Sequence, residues 1–317
     1  MMLGELTCWD GRRITLPDTV SWRFQYGCGS PCDSFQLTCL WEPGEADVLA
    51  EAVTFTAVEN GEIVFTGVVD ECERGWDSSG GTLTVAGRGM AARLLDNEAL
   101  GADYQVATLE DILRDHVTPY GISAVVGVEL PAVPGFSVAT GSSEWQVVYE
   151  FCRYYGGIAP RFDRNGRLII SPWSDGRRRV LGAGAAVTKL TLRDQRYGAL
   201  SEVLVRSRTS EEVQSVTDDA FLRRGGLSRR VLTMPGKSSY QAMRYSGQYQ
   251  LEQAGKELRT LELELPGAFA AWPGDQVELR LAQNVGTGLW RVRESVSGLG
   301  ERGTYSRLTL VPPDAVE

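Results

Sequence analysis

The sequence predicts a mixed β protein in which two duplicated β-barrel domains flank a small α/β unit. Strand-forming segments with hairpin turns occupy both ends of the 317-residue chain, and a similar hairpin spacing recurs at both ends. Helical periodicity appears only between and within these regions. We expect a first barrel at 1–99, an α/β domain at 100–183, and a second barrel at 184–317 with a helical insertion near 211–260.

The first 87 residues are rich in β-forming side chains. Strands are predicted at 35–41, 53–58 and 63–69. Asn60-Gly61 separates the last two, and this dipeptide is a strong hairpin signal because both residues tolerate positive φ. The region is therefore expected to be almost entirely strand.

The stretch AGRGMAARLLDNEA at 86–99 changes abruptly from glycines to helix formers. A phosphate-binding loop would need a third glycine or a Gly-Lys-Ser/Thr sequence, and here the acidic Asp96 and Glu98 follow instead. A strand over 82–86 that ends at Gly87 and passes into a helix over 90–97 explains the pattern better. The stretch is predicted to be a joint between two architectures.

Helical signals dominate the middle of the chain. Thr108 and Asp111 match a capping box, and the helix they begin is expected to run to the Pro119 stop. A second helix is predicted over 144–155, beginning at Ser142 and ending at two glycines. The segment 161–170 then forms a hairpin at Asn165-Gly166. These elements make up the small α/β unit.

Strands return after 184, at 187–192 and 202–208, and continue to Leu310. A polar helical segment over 239–254 interrupts them and is expected to rest on the sheet. The internal repeat is the most informative feature: Val53, Asn60, Val68 and Leu83 are separated by 7, 8 and 15 positions, and Val277, Asn284, Val292 and Leu308 by 7, 8 and 16. Two copies of one strand unit predict duplicated barrels.

Composition excludes several classes of function. The net charge is −9 without a basic stripe, so a dedicated nucleic-acid binder is not expected, and the cluster at 177–179 is interpreted as a solvated turn. The sequence has neither an apolar run of about 18 residues nor a secretory leader pattern. We therefore expect folding in a reducing cytosol and no membrane insertion.

Metal and catalytic sites find little support in the residue pattern. Cys28 and Cys32 are the only suggestively spaced pair among six cysteines, and His116 is the only histidine, so a zinc site lacks ligands. Cys39 and Cys152 fit core positions. We expect no catalytic residue, no metal ligand and no cofactor, and we assign no role to Cys28 and Cys32.

The order of elements resembles the baseplate hub proteins of contractile-tailed phages and phage-tail-like bacteriocins, the late control gene D family. The matching segments are TLTVAGRGMAARLLDNEA, TLEDILRDHVTPYGI, EWQVVYEFCRYYGGIAPRFDRNGRLII, WPGDQVELRL, LWRVRESVSG and YSRLTLVPP. The resemblance implies a structural homotrimer with two tube-like barrels per subunit. Its implied partners are the tail tube protein, the central spike protein, other baseplate subunits and the tape measure protein.

Threefold symmetry of a chain with two similar barrels gives six similar units in a ring, which can dock onto a sixfold tube. The implied location is the tail baseplate of the virion, with assembly in the bacterial host cytoplasm. Glu278 and Arg280 alternate with Val277 and Leu279 and are candidates to line a lumen. A net-acidic channel would repel DNA, which would be present only in passage.

Two other functions remain open at this point. A tail-associated enzyme that degrades peptidoglycan needs two carboxylates across a cleft, and Asp111 and Glu144 are candidates, although both stand in helix first turns where the helix dipole explains them. Nucleophilic catalysis would depend on His116 alone. A distal tail protein would share a barrel and form a hexameric ring. The eight tryptophans are expected in cores and subunit contacts rather than in a sugar-binding platform.

Overall fold

The computed structural model describes residues 2–28, 32–42, 49–78, 80–173, 176–195, 197–208, 211, 213–234, 239–256, 258–313 and 315. Large antiparallel sheets dominate this part of the chain, as the sequence predicts. Thirteen strands join one sheet, and the remaining strands form small sheets in the middle unit and in the insertion of the C-terminal region.

The first strand set contains seven strands whose neighbours all pair antiparallel. Its strands are β1 Met2–Cys8, β2 Arg13–Thr15, β3 Thr19–Gly27, β4 Ser34–Leu40, β5 Ala52–Glu59, β6 Glu62–Asp77 and β7 Gly80–Gly89. Asn60 and Gly61 both have positive φ, which confirms the predicted hairpin.

Aromatic side chains fill the core of the first set. β4 alternates strictly, burying Phe35, Leu37 and Cys39 on one face, so the predicted core position of Cys39 is confirmed. The rings of Phe35 and Phe55 stack at 4.2 Å between centroids, and Phe65 lies 5.2 Å from Phe35. Burying each such ring contributes about 1.5–3 kcal/mol, so this cluster anchors the set.

The stretch at 86–99 is a strand-to-helix joint, as predicted, although its bounds differ. β7 continues to Gly89 instead of ending at Gly87, and the helix α1 is only Ala92–Leu95. A Cβ at Gly87 would collide with the carbonyl oxygen of Val68 and the Phe35 ring. These glycines therefore permit close approach of strands and do not end the strand.

The middle unit packs short strands and helices around one core. Its elements are β8 Ala102–Asp103, β9 Val106–Ala107, α2 Leu109–His116, a 3₁₀ turn Thr118–Tyr120, β10 Ala124–Val126, β11 Val133–Pro134, β12 Ser137–Val138, α3 Glu144–Glu150, a π-helical turn Phe151–Tyr155, β13 Arg161–Phe162 and β14 Leu168–Ile170. β10 and β14 pair in parallel, and Ile112, Val148, Phe151, Cys152 and Leu168 lie in the core.

Local signals in the middle unit are mostly confirmed. Thr108 caps α2 in a complete capping box with Asp111. The second helix is capped by Ser143 rather than Ser142, and its last turn is π-helical. The predicted hairpin at Asn165-Gly166 joins β13 and β14, with Gly166 at positive φ. Cys152 is fully buried, as expected.

The C-terminal region contains a second strand set and an insertion. In chain order its elements are β15 Arg178–Leu181, β16 Lys189–Asp194, β17 Glu202–Ser207, β18 Val213–Thr217, α4 Asp219–Arg223, β19 Arg229–Met234, α5 Tyr240–Lys256, β20 Arg259–Pro266, β21 Gln276–Leu279, β22 Gly288–Gly300 and β23 Gly303–Val311. β15, β16 and β20–β23 surround an apolar core that includes Leu261, Leu263, Val277, Leu308 and Leu310.

The insertion is a three-stranded sheet of β17–β19 covered by α5. Gly247 of α5 lies against Val205 and Val216, where a larger residue would collide. The predicted polar helix that rests on a sheet is therefore confirmed. The cluster at 177–179 was predicted as a turn, and this is wrong because Arg178 and Arg179 begin β15, which pairs in parallel with β21. None of the described helices is long and apolar enough to cross a bilayer.

Candidate assembly surfaces

One sheet passes through both strand sets. β22 pairs antiparallel with β3 over residues 294–299 and 22–27, so the second set is hydrogen-bonded directly to the first. The neighbour order in the first set is β3-β4-β7-β6-β5-β1, and in the second set it is β16-β20-β23-β22-β21-β15. The two orders match over these six strands, with two differences: β1 runs antiparallel to β5, whereas β15 runs parallel to β21, and β2 adds beyond β1 only in the first set.

The hairpins β6–β7 and β22–β23 share a detailed layout. Each has a register shift, at Asp70 in β6 and at Arg293 in β22. From Asp70 to Asp77 and from Arg293 to Gly300 the strands have equal length, and each ends in a tight turn to a glycine with positive φ, Gly80 or Gly303. A bulge at the same place in two hairpins is a specific shared feature.

This layout changes the register of the repeat that the sequence suggested. When the two bulges and turns are matched, Val69 becomes the equivalent of Val292, and Val85 becomes the equivalent of Leu308. The sequence-based comparison had matched Val68 with Val292 and Leu83 with Leu308, so it was wrong by one and by two positions. The reason is that the two hairpins have the same length from bulge to turn, so one constant shift relates them, and approximate spacings between apolar residues do not preserve that shift.

Besides β2, which pairs only with β1, and β15, which pairs only with β21, two further strand edges of the large sheet pair on one side only in the described part of the chain. The segment 70–77 of β6 pairs only with β7, and β16 pairs only with β20. Glu71, Glu73 and Arg74 are exposed, and Trp76 is 68% exposed. Open edges of this kind are places where another strand can add.

The face of the sheet that points away from the cores carries charges of both signs. Lys189 lies 3.5 Å from Glu262, and Arg307 lies 3.4 Å from Glu264. Val277 and Leu279 are fully buried as their alternation predicted, while Glu278 pairs with Arg178 and Arg280 on the other side. The surface is polar and mixed in sign, without a basic stripe among these residues.

Arg88 links the joint at 86–99 to the bulge of β6. Its guanidinium donates to both carboxylate oxygens of Asp70 and both of Asp96, at 2.6–2.9 Å. The hydrogen bonds from Arg88 lower the pKa of Asp96. The acidic residue that argued against a phosphate site therefore serves as a partner for Arg88 and holds α1 to the strand.

A cleft of about 690 Å³ lies where the two strand sets and the middle unit meet. Arginines stack on its tryptophans, Arg161 at 4.2 Å from the Trp173 ring and Arg164 at 4.0 Å from the Trp272 ring. At its edge, burial raises the pKa of Asp33 to about 7, although the backbone N–H of Gly27 donates to its carboxylate. Of these contacts, the stacking of Arg164 on Trp272 connects the middle unit to the C-terminal region.

His116 belongs to a buried polar network between α2 and α3. Its Nδ1 lies 2.6 Å from Glu144 Oε2, and its Nε2 lies 3.0 Å from the Tyr104 hydroxyl. Tyr120 donates to Glu144 Oε1 at 2.7 Å, and this bond is the main reason why the pKa of Tyr120 is raised to about 12. Tyr104 donates to Asp115. Both ring nitrogens of His116 are occupied, so the ring has none left to activate a serine or cysteine.

The other residues singled out in the sequence have local partners. Asp111 caps α2 and bonds Arg114, and it is not brought next to Glu144 by any described contact. Cys28 donates to the carbonyl of Val292, and Cys32 donates to that of Gly89; the residues between them lie outside the described ones. Burial raises the pKa of Cys32 to about 11. No group of three or more potential metal ligands occurs among the described residues.

The tryptophans are divided between core and surface. Trp22 and Trp290 are buried in the two strand sets, and Trp272 and Trp173 line the cleft. Trp9 and Trp76 are largely exposed, at 75% and 68%. Sequence reasoning missed the β3–β22 joint and the paired bulges, because strand alternation alone does not specify a strand's partner.

No family model matches the chain. Among curated proteins, the baseplate hub protein gp44 of Escherichia phage Mu is 32% identical over 146 residues. This match spans 43% of the chain and only 38% of the length of that relative.

Solved structures match nearly the whole chain. A tail protein from Neisseria meningitidis MC58 has a TM-score of 0.77 at 18% identity, covering 99% of both chains. The 43 kDa tail protein of prophage MuSo2 from Shewanella oneidensis has a TM-score of 0.76 at 16% identity, covering 99% of this chain and 100% of that one. The fold is thus shared with phage tail proteins, and the resemblance to baseplate hub proteins is confirmed.

A third structure extends the comparison beyond phages. The E. coli c3393 protein, described as a component of the type VI secretion system with structural similarity to the T4 tail proteins gp27 and gp5, has a TM-score of 0.59 at 15% identity. The alignment covers 93% of this chain and 73% of the c3393 chain.

Proposed function

We propose that this chain is a structural hub in the baseplate of a contractile phage tail or a tail-like particle. Three copies form a pseudo-sixfold ring that joins the tail tube to the central spike and encloses the channel. The matching strand orders of the two sets, joined through β3 and β22 in one sheet, carry this proposal. The similarity to a phage baseplate hub protein supports it.

The two strand sets act in this proposal as duplicated barrel domains, at 1–99 and 184–317, with the α/β domain at 100–183 between them; β15, at 178–181, adds to the second barrel from within the 100–183 range. Two equivalent units in one chain and a threefold axis give six equivalent units in the ring. The tube protein contacts one side of the ring, and the spike protein contacts the other. Other baseplate subunits and the tape measure protein are the remaining neighbours, and the location is the virion tail, after assembly in the host cytoplasm.

The polar outer face of the large sheet lines the channel in this arrangement. Its ion pairs, such as Lys189 with Glu262 and Arg307 with Glu264, offer DNA no continuous run of positive charge. DNA would therefore slide through without being held. A channel wall of strong positive potential in the assembled particle would contradict this part of the proposal.

The proposed role is not enzymatic. The one histidine is enclosed between a tyrosine and a glutamate, and its best carboxylate partner, Glu144, is itself buried. A turbidity assay on purified bacterial cell walls tests the enzymatic alternative. Clearing by the wild-type protein that is abolished in Glu144→Gln and Asp111→Asn variants, both still folded, would replace the structural role with a lytic one.

Negative-stain electron microscopy of the purified protein, with class averages sorted by symmetry, tests the ring directly. We expect threefold rings with a central hole and six peripheral lobes. Rings with true sixfold symmetry, containing six chains by mass photometry, would place the protein with distal tail proteins instead. Monomers at every concentration examined would contradict self-assembly into a ring.

A further inference from the structure

The strand correspondence between the two sets also assigns equivalents to the edge strands. Because the bulges of β6 and β22 match, Val85 corresponds to Leu308, and their partners Leu37 and Leu263 correspond in turn. Leu37 pairs with Trp22 in β3, and Leu263 pairs with Leu190 in β16. β16 is therefore the equivalent of β3.

The joint between β3 and β22 has no equivalent inside a single chain. β3 covers the part of β22 that follows its bulge, pairing Ser295 with Tyr26 and Leu299 with Trp22. The equivalent part of β6 is the segment 70–77, which is open, and the equivalent of β3 is β16, which is also open in the described structure. Both halves of a second joint are present, but one chain does not bring them together.

We propose that β16 of one copy pairs antiparallel with the segment 70–77 of β6 in the neighbouring copy. The inference rests on the proposed ring and specifies its subunit contact. Transferring the β3–β22 register places Glu73 opposite Arg193, Gly75 opposite Thr191 and Trp76 opposite Leu190. Each chain then donates β16 to one neighbour and receives it from the other, which closes head to tail.

Charge and exposure fit this register. Arg193 and Lys189 stand on the polar side of β16, and in this register Arg193 faces Glu73 and Lys189 faces Asp77 of β6, so opposite charges meet across the new ladder. On the inner side, Leu190 and Leu192 are only half-buried, although the equivalent Trp22 and Phe24 are buried. A neighbouring β6 would cover Leu190 with the exposed ring of Trp76.

The hydrogen-bond pattern selects the best pair for a cross-linking test. The backbone N–H of Cys28 donates to the carbonyl of Arg293, which makes the pair of Val296 with Gln25 a non-hydrogen-bonded one. In the proposed contact between two copies, the pair that corresponds to Val296 and Gln25 is Glu73 and Arg193. In such a pair the Cα atoms lie about 4.5 Å apart, within the range that a disulfide can bridge.

The experiment uses the full chain with Glu73→Cys and Arg193→Cys combined, after mild oxidation, on non-reducing denaturing gels. We expect a covalent trimer that dithiothreitol returns to monomers. The matched control combines Glu73→Cys with Thr191→Cys, whose positions lie on the same face but on a diagonal of about 7–8 Å, too long for efficient bridging. The two single variants control for the native cysteines.

The outcomes separate this contact from the ring itself. Threefold rings with efficient cross-linking only in the Glu73–Arg193 pair support the register. Rings that form in all variants but cross-link through Thr191, or not at all, overturn the register and leave the proposed ring standing. Monomers in the wild type as well as in every variant overturn both.

A charge exchange provides a second readout that does not depend on thiols. Glu73→Arg alone and Arg193→Glu alone each place like charges across the ladder, and we expect each to raise the dissociation constant of the trimer about fivefold or more. The double exchange restores the pairing and should recover most of the affinity. Equal weakening in the single and double variants would contradict the predicted opposition.

Discussion

Arg88→Ala is the sharpest test of the joint between the first strand set and the middle unit. In the native chain the Arg88 guanidinium bridges Asp70, in the bulge of β6, and Asp96, just after α1. The variant removes both pairs and leaves two carboxylates facing each other without the cation. The backbone ladder between β6 and β7 remains, but α1 loses its side-chain link to the bulge of β6.

The size of the effect follows from exposure. The side chains of Arg88, Asp70 and Asp96 are 37%, 35% and 53% exposed, so solvent screens both pairs. Exposed pairs contribute about 0–1 kcal/mol each, and bidentate geometry places these near the upper end. We expect Arg88→Ala to lower the free energy of unfolding by about 1–2 kcal/mol, and by less at high salt because salt screens exposed pairs.

Urea unfolding at low and high salt measures this loss, and Arg114→Ala is the matched control. Arg114 also bridges two aspartates, Asp111 and Asp115, but all three lie on α2 or at its first turn. A local bridge of this kind, exposed to solvent, should contribute little to the free energy of unfolding. Equal losses in the two variants, or a loss in Arg88→Ala that salt does not reduce, would refute the idea that Arg88 holds the joint.

The pKa of Asp96 gives the same contact a pH signature. Hydrogen bonds from Arg88 lower this pKa in the folded state, so the stabilisation is fully present above the unfolded value of about 4. It is lost as the pH falls through the lower folded value. The stability difference between wild type and Arg88→Ala should therefore shrink below about pH 4, and a difference that grows there would contradict this assignment.

Three further predictions concern other parts of the molecule. Gly87→Ala should destabilise by more than about 2 kcal/mol in urea, because its Cβ would collide with the Val68 carbonyl, whereas Gly182→Ala, in open space, should be nearly neutral. The pKa of Asp33 is raised to about 7, so the free energy of unfolding of the wild type should fall relative to that of Asp33→Asn as the pH rises from about 4 to 7, by at most about 4 kcal/mol. Parallel curves of stability against pH for the two proteins would contradict this. Glu144→Gln should lower stability by about 1–3 kcal/mol in thermal unfolding, since it disturbs the buried histidine and tyrosine, and an unchanged transition would show that the network is not structural.

Local signals allowed much of the chain to be predicted from sequence. Asn60-Gly61 and Asn165-Gly166 formed the expected hairpins because each dipeptide supplies the positive φ that its turn needs, at both residues in the first and at Gly166 in the second. The capping box at Thr108 also formed as predicted, because its donors and acceptors lie within one turn of the helix. Such features depend on a few neighbouring residues and on little else.

Long-range pairing was beyond local reasoning. The joint of β22 with β3 connects residues far apart in the chain, and alternation alone fits many strand partners equally well. Glu144 was explained by its place in a helix first turn, yet it also contacts His116 of another helix. The bulges of β6 and β22 became comparable only once their distance from the hairpin turn was known.

The charges on the two open edges also bear on why a ring would form rather than an aggregate. β16 presents Lys189 and Arg193 on its polar side, whereas the open segment of β6 presents Glu71 and Glu73. Two copies of β16 would repel each other, and so would two copies of β6, since like charges directly opposite in a ladder are destabilising. Only the unlike edges attract, and a contact between unlike edges is head to tail. With two equivalent units already joined inside each chain through β3 and β22, repeating that one contact around a threefold axis covers both of these charged edges.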